Sequence, residues 1–407
     1  MFISYRQSDG TAIATEVSRQ LRASGVPVWR DEDDLPPGDT LERLAEALEA
    51  GISGAVLVVT ADIVDSTVVR DTELPQLLEL HRNSDFALQI VNDVEDELGV
   101  VDYSAPDRLL ARPTGDLKGI DQQPTRTAGL RAVARALAEV RVGRHRDAGL
   151  IAGTLPLSLQ TRNVGRAADC TDAVLDLRFE AGEDRLPALS ALDDLRTTAA
   201  MLPMLVTISG AGAVDLVGGA HLSVAFGLGS SLPATRVAAL RVRQDDDSPW
   251  WGPASSVPRL PRRALRVKRR RGRGLADAGI AVFVDLVENP DSDRAFKDFW
   301  KKRRRDFASR LVITRRRRSW MSAQEGTGVT HAVMTAIRRE WGRRGNGEVH
   351  LFLRVPFPMA VLMGHLSNTL DAVVYEWGDK GYVPVARVKS GSGEGAVRLT
   401  LRAEGSS

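Results

Sequence analysis

Cysteine is nearly absent: the chain of 407 residues has one, Cys170. A lone cysteine excludes an internal disulfide framework and a thiolate zinc cluster, and it fits a reducing compartment. Histidine is also sparse. The six (His81, His145, His221, His331, His350 and His365) are scattered without ligand spacing, so no structural metal is expected. No run approaches the roughly 20 consecutive apolar residues of a membrane helix, and the opening residues lack the basic, apolar and small-residue segments of a signal peptide. These absences predict a cytoplasmic protein with no membrane partner, no bound metal and no resident cofactor.

What is present is a long chain with an uneven charge. At 43% hydrophobic residues over 407 positions, it exceeds what one core usually fills, so two or three domains are expected. The net charge of +2 conceals two halves of opposite sign. Residues 1–140 hold 13 Lys and Arg against 25 Asp and Glu, and the remainder holds 42 against 28. An acidic unit is joined to a basic one, and the basic one either meets an anion or carries arginine-rich solvated faces.

The first 140 residues alternate strand and helix patterns. "FIS" is a short apolar run, after which Ile13, Val17 and Leu21 recur on one helical face up to Gly25, a C′ glycine by position. Asp9 reads as the N-cap of that helix. "VPVW" at 26–29 reads as a second strand, "LERLAEALEAGI" has helical spacing, and "GAVLVVT" is a continuous buried-strand run. "FALQIV" and "LRAVARALAEV" extend the alternation, which predicts an α/β fold with a parallel sheet. Ligands of such sheets bind outside the carboxyl ends of the strands, where Tyr5, Arg6, Trp29 and Asp31 would sit.

Four stretches, "FISYR" at 2–6, "VPVWRDEDDLPPGDTLERLAEAL" at 26–48, "AVLVVTADIVDS" at 55–66 and "VVRDTEL" at 68–74, together resemble the successive boxes of a TIR domain. The resemblance implies a flavodoxin-like parallel sheet over residues 1–140. It also implies that "DEDDLPPGD" is the loop such domains use for assembly and for gating substrate. TIR domains divide into signalling scaffolds and enzymes that cleave NAD+, and the glutamate that separates them corresponds to Glu73. The enzymes usually carry an aromatic four residues earlier, where this chain has Val69. Trp29 matches an aromatic that stacks on nicotinamide, and Tyr5 and Arg6 match a strand-end pair. Asp31 and Leu35 join them as candidate substrate contacts.

The chemistry accounts for these residue types. Breaking the bond between nicotinamide and ribose builds positive charge on the sugar, which a nearby carboxylate stabilises. Glu73 is the candidate for that role. Nicotinamide leaves as a neutral ring, so no second acid is required. Trp29 offers a stacking plane and Arg6 a partner for phosphate. Each residue also has an ordinary structural reading: a first-turn glutamate favoured by the helix dipole, aromatics in a core, or an Arg6–Asp31 ion pair.

Residues 141–153 mix charge and glycine and read as a linker. From 154 onward, "MLVTIS", "LSVAFGLG", "VAALRV", "IAVFVDL", "LVIT", "VHLFLRVP" and "AVVYEW" are short apolar runs of a second α/β unit. "EVHLFLRVPFPMAVLMGHLSNTLDAVVYEWGDKGYVPVARV" and "GAVDLVGGAHLSVAFGLGSSLPATRVAALRVRQ" resemble the two halves of a SAVED domain, over residues 154–402. The resemblance implies two fused Rossmann-like halves and recognition of a cyclic oligonucleotide, in particular a cyclic tri-adenylate, within the antiphage system called CBASS. Such a ligand wants cations and aromatic planes. Trp377, Lys380, Tyr382 and Arg387, in and beyond the loop "YEWGDKGY", are the candidates. "GLGSSLP" reads as a tight turn, or more weakly as a phosphate cradle.

Three basic runs, "RVKRRRGRG" at 266–274, "KKRRR" at 301–305 and "RRRR" at 315–318, suggest either a nucleic-acid surface or a partner for an acidic TIR face. They lack interleaved aromatics, so no stable nucleic-acid partner is expected. The function expected is a NAD+ hydrolase, releasing nicotinamide and ADP-ribose. A cyclic oligonucleotide would switch it on by driving head-to-tail homo-oligomers or filaments. A non-enzymatic TIR scaffold and a nucleic-acid-binding protein are the alternatives.

Overall fold

The computed structural model describes residues 1–28, 52–82, 86–161, 173–180, 182, 185–244, 248–252, 264–275, 277–287, 293–316, 321–389 and 397–399. Its contacts divide the chain into two compact units. The first is Met1–Leu150 with Val174–Leu177, and the second is Ile151–Ala173 with Arg178–Ser407.

In the first unit, strands and helices alternate as β1 (Phe2–Ser4), α1 (Gln7–Ala23), β2 (Gly54–Val59), α2 (Leu74–Arg82), β3 (Ala87–Asn92), α3 (Ala105–Leu109), β4 (Asp121–Pro124) and α4 (Thr127–Asp147). The four strands form a parallel sheet in the order β1-β2-β3-β4. All six residues of β2 are buried, as the continuous apolar run requires of a strand covered on both faces. Leu57, Val59, Ile63, Leu74, Leu77 and Ile90 form one layer of core. Val17 and Leu21 of α1, with Val133 and Leu137 of α4, are buried as well. Gly25 ends α1 at φ +81°, which a side chain rarely adopts. Residues 26–28 form no strand, and the rest of "VPVW" lies outside the described residues, as does "LERLAEALEAGI" up to Gly51. Residues 141–147 continue α4, so helix runs through the first part of the stretch read as linker.

The second unit runs through β5 (Thr154–Gln160), α5 (Leu189–Ser209), β7 (Ala213–Gly219), α6 (Leu222–Ser231) and β8 (Ala239–Arg243); between β5 and α5 in the chain comes β6 (Leu175–Arg178), whose Leu175–Leu177 count with the first unit. It continues with β9 (Leu265–Arg271), β10 (Ile280–Asp285), α7 (Arg294–Arg303), β11 (Ser309–Arg315), α8 (Ala323–Gly342), β12 (Val349–Arg354), α9 (Phe357–His365), β13 (Asp371–Gly378), β14 (Gly381–Lys389) and β15 (Val397–Leu399). Strands β5, β7 and β8 lie side by side and parallel. A seven-stranded sheet has the order β15-β14-β13-β12-β10-β11-β9. Its β11, β10, β12 and β13 are parallel, and its outer strands β9, β14 and β15 antiparallel.

Two of the apolar runs are helical. "MLVTIS" is the end of α5, and "LSVAFGLG" is α6, so "GLGSSLP" starts inside a helix and is no phosphate-binding turn. Every residue of α6 after Leu222 is buried, and so is every residue of α9. A helix apolar all round has no polar face to give it away, and a short apolar run does not distinguish it from a strand.

Helices α6 and α9 each follow a parallel strand, β7 and β12, one in each sheet of the unit, and they pack backbone to backbone. A Cβ on Gly229 would lie 2.0 Å from the Val361 carbonyl oxygen, and one on Gly364 would lie 2.0 Å from that of Phe226. Gly229→Ala is therefore expected to lower stability by about 1–3 kcal/mol, read as an earlier unfolding midpoint in urea.

Aromatic rings fix α7 on the larger sheet. Phe283 and Phe296 stack at 4.7 Å, Phe352 and Tyr375 at 4.3 Å, and Phe307 meets His350 edge-on at 4.9 Å. Burial pushes His350 from its ordinary 6.5 down to about 4; Arg387 and Arg303 act in the same direction and Asp306 against it. Above pH 6.5 the imidazole is neutral, folded or unfolded. Between pH 6.5 and about 4 only the unfolded chain takes up the proton, so stability falls with falling pH and the loss levels off below 4. The expected loss is about 2–3 kcal/mol over that window. In denaturant titrations at pH 7 and pH 4.5, His350→Phe should remove that part of the pH dependence.

Candidate functional site

In the first unit, polar side chains collect where the parallel strands end. Ser4 closes β1 and is 1% exposed; its hydroxyl donates to Glu73 Oε2 at 2.5 Å. Glu73 is itself 5% exposed. It closes a π-helical turn, Val69–Glu73, in which the Leu74 N–H donates to the Val69 carbonyl five residues back. Pro75 explains the widened turn. It has no N–H for the Asp71 carbonyl, and its ring would clash with that carbonyl in an α-helical turn. Wide turns of this kind recur at functional sites.

Arg6 follows on the same strand end and is tied locally. Its Nη1 donates to the Asp62 carbonyl at 2.6 Å and its Nε to Ser8 Oγ at 2.7 Å, and the Asp65 carboxylate lies 3.5 Å away. Asp62 and Asp65 belong to a 3₁₀ segment, Ala61–Asp65, directly after β2. The structure corrects the reading of Asp9 as an N-cap. The helix starts earlier, at Gln7, and the Asp9 carboxylate accepts from Thr60 Oγ1 at 2.7 Å and from the Asp62 N–H at 3.0 Å. It therefore clamps α1 to the end of β2. Tyr5 is half-buried, its ring against Gly10. The structure thus brings Tyr5, Arg6 and Glu73 to the carboxyl ends of β1 and β2. Trp29, Asp31, Leu35 and the "DLPPGD" loop lie outside the described residues.

In the second unit, the residues expected to meet a ligand are divided. "YEWGDKGY" is a β-hairpin rather than an open loop. Trp377 pairs across it with Tyr382, ring centroids 5.0 Å apart and edge to face. Trp377 is 38% exposed, whereas Tyr382 also meets Phe299 and Phe352. Lys380 is exposed in the turn. Arg387 is away from them, opposite Val373 in the hairpin, with its guanidinium 2.5 Å from the Glu348 carboxylate.

Residues that the sequence reading did not single out act on the Tyr382 hydroxyl. Burial pushes that hydroxyl up to about 12; Arg354 draws it down, and Asp285 and Glu376 raise it. Asp285 and Arg354 close the neighbouring parallel strands β10 and β12, their charges 4.0 Å apart. Glu376 Oε1 accepts from the Ser223 N–H, in the first turn of α6, at 2.7 Å. Just before α6, the His221 N–H donates to Thr161 Oγ1 at 2.9 Å, directly after β5. Asp285 and Arg354 at the strand carboxyl ends, and Glu376 beside a helix N-terminus, thus all act on one phenol. The available signal was the position of Asp285 and Arg354 as the last polar residues of apolar runs, "FVD" and "LFLR".

Two of the basic runs adjoin each other, the Arg273 N–H donating to the Arg304 carbonyl at 2.9 Å. Strand β9 is the outermost strand of its sheet, and Arg266, Lys268, Arg270 and Arg271 on it are exposed, an arrangement that discourages strand-to-strand association. Of the third run, Arg315 and Arg316 are described, and Arg315 pairs with Glu325 at 2.7 Å. No helix among the described residues is long and apolar enough to cross a membrane.

Comparison with known proteins agrees with this division. Residues 1–108 match the TIR domain family, and residues 205–388 match the family described as SMODS-associated and fused to various effectors sensor domain, SAVED. No curated protein matches the chain. Among solved structures, it is similar to the Cap4 SAVED/CARF-domain containing receptor of Acinetobacter baumannii, solved with the cyclic trinucleotides 2′3′3′-cAAA and 3′3′3′-cAAA. The identity is 14% in both cases, covering 86% of this chain and 84% of that one, with a TM-score of 0.47. The corresponding receptor of Moraxella osloensis is 12% identical over the same shares, with a TM-score of 0.43. This chain carries a TIR domain followed by a SAVED sensor domain.

Proposed function

We propose that this chain is a cyclic-oligonucleotide-activated NAD+ hydrolase, a cytoplasmic effector of CBASS-type antiphage defence. The observation that carries the reading is Glu73, a carboxylate held at the strand ends of a TIR domain whose chain also bears a sensor domain. As the nicotinamide–ribose bond lengthens, Glu73 stabilises the positive charge that grows on the sugar, and nicotinamide departs as a neutral ring. Trp29 stacks on that ring, Tyr5, Asp31 and Leu35 line the cleft, and Arg6 supplies positive charge toward the phosphates.

In the sensor, the exposed Trp377 stacks on a base and Lys380 meets a phosphate, with Arg387 as a further candidate contact. Arg354, partly exposed at the end of β12, adds a cation that the sequence reading lacked. The activator is a cyclic tri-adenylate. Its binding drives head-to-tail assembly, in which the "DLPPGD" loop of one subunit completes the Glu73 cleft of the next. A scaffold reading rests on Val69, which is buried where enzymatic relatives usually carry an aromatic.

The test is nicotinamide release by the purified chain with 3′3′3′-cAAA, 2′3′3′-cAAA and cyclic di- and tetra-adenylates. One ring should switch on release, and Glu73→Gln should abolish turnover by about a hundredfold or more while ring binding persists. Release that survives Glu73→Gln, or no release with any ring, refutes the enzyme reading. Arg354→Ala is expected to weaken ring binding by about tenfold or more, with a shallower salt dependence, in calorimetric titration.

A further inference from the structure

We infer that Ser4 is a positioning residue for Glu73: its hydroxyl favours the ionised carboxylate and fixes its rotation in the NAD+ cleavage proposed above, on which this inference rests. The two residues are 69 positions apart, and both are buried. The hydroxyl donates to Glu73 Oε2 at 2.5 Å, and a hydroxyl bound to an ionised carboxylate makes the stronger class of hydrogen bond.

The need for such a bond follows from burial. Burial in general favours the neutral form of a carboxyl group, and a neutral carboxylic acid cannot stabilise a developing cation. A donor that bonds to the charged form opposes that effect. Ser4 is suited to the task because it is short, buried and on a paired strand. It ends β1, whose Ile3 and Ser4 pair with Val56 and Leu57 of the fully buried β2.

The other side of the contact is set just as firmly. Pro75 forces the wide turn that ends at Glu73, and the next residue, Leu74, is completely buried. The carboxylate is thus held between a strand and a turn that are both anchored in the core. The same strand end presents Tyr5 and Arg6, so one rigid segment sets the carboxylate and its neighbouring candidate contacts relative to each other.

The experiment uses the full chain with Ser4→Ala, Ser4→Thr and Glu73→Gln. The carboxyl carbon of Glu73, recognised as the 13C resonance missing in Glu73→Gln, is titrated by NMR. Nicotinamide release is followed against pH with 3′3′3′-cAAA as the activating probe. Ser4→Ala should move the carboxyl midpoint, and with it the acid limb of kcat/KM, to higher pH. It should lower kcat near neutral pH about tenfold with KM changed by less than about twofold, and Ser4→Thr should restore all three.

A midpoint that does not move in Ser4→Ala overturns the inference, as does a loss of activity that Ser4→Thr fails to restore. Should Ser4→Ala not fold, as judged by circular dichroism, Ser4→Cys keeps the volume with a weaker donor. It should shift the midpoint the same way, and an unmoved midpoint there is again fatal. If the wild-type chain releases no nicotinamide with any ring, the enzyme reading fails, while the carboxyl titration still decides whether Ser4 favours the ionised Glu73 carboxylate.

Discussion

A parallel strand covered on both faces can carry polar side chains only at its ends, because a buried polar group without a partner costs free energy that packing does not return. Strand β2 shows the constraint in the first unit: six buried residues, with Thr60 the first hydroxyl after them, at once bonded to Asp9. Strand β10 shows it in the second. Ile280 through Val284 are apolar and buried, and Asp285 is the first residue that can meet charge. The candidate functional groups are therefore concentrated at the ends of such strands, where sheet geometry sets their spacing.

What keeps those ends in register differs between the units. In the first, side-chain hydrogen bonds do so: Ser4 to Glu73, Thr60 to Asp9 and Arg6 to the Asp62 carbonyl bind β1, α1 and the segments after β2 into one polar cluster. In the second, packing does so. The glycine contacts between α6 and α9 bring two helices to backbone contact, and each of them follows a parallel strand. The Glu376 carboxylate at the start of α6 adds a polar tie between β13 and that helix, with a charge sign that favours a helix N-terminus.

Much of this was legible in the sequence, for identifiable reasons. Strands β2, β10, β12 and β13 stand out as short apolar runs because each is covered on both faces or nearly so. Glu73 was singled out as a candidate through the ordered TIR motifs, and the boundary glycine of α1 was found through its place after the last periodic residue. Helix α6 was misread because it is buried nearly all round, since a stripe is what makes a helix visible, and the end of α5 because a six-residue apolar run does not distinguish helix from strand. Asp9 was assigned to its own helix because capping is a local rule, whereas its partners Thr60 and Asp62 lie more than 50 residues away.

The same division separates the candidate sites. Which residue types exist near each strand end, and that Pro75 follows Glu73 by two positions, were determined by the sequence alone, because propensity and local sterics act over a few residues. That Ser4 meets Glu73, that Tyr382 stands near Arg354, Asp285 and Glu376, and that Arg387 turns instead to Glu348 were decided by tertiary structure. Each of these pairings depends on sheet register or on the packing of an element distant in the chain. No local pattern encodes which strand end will face which turn.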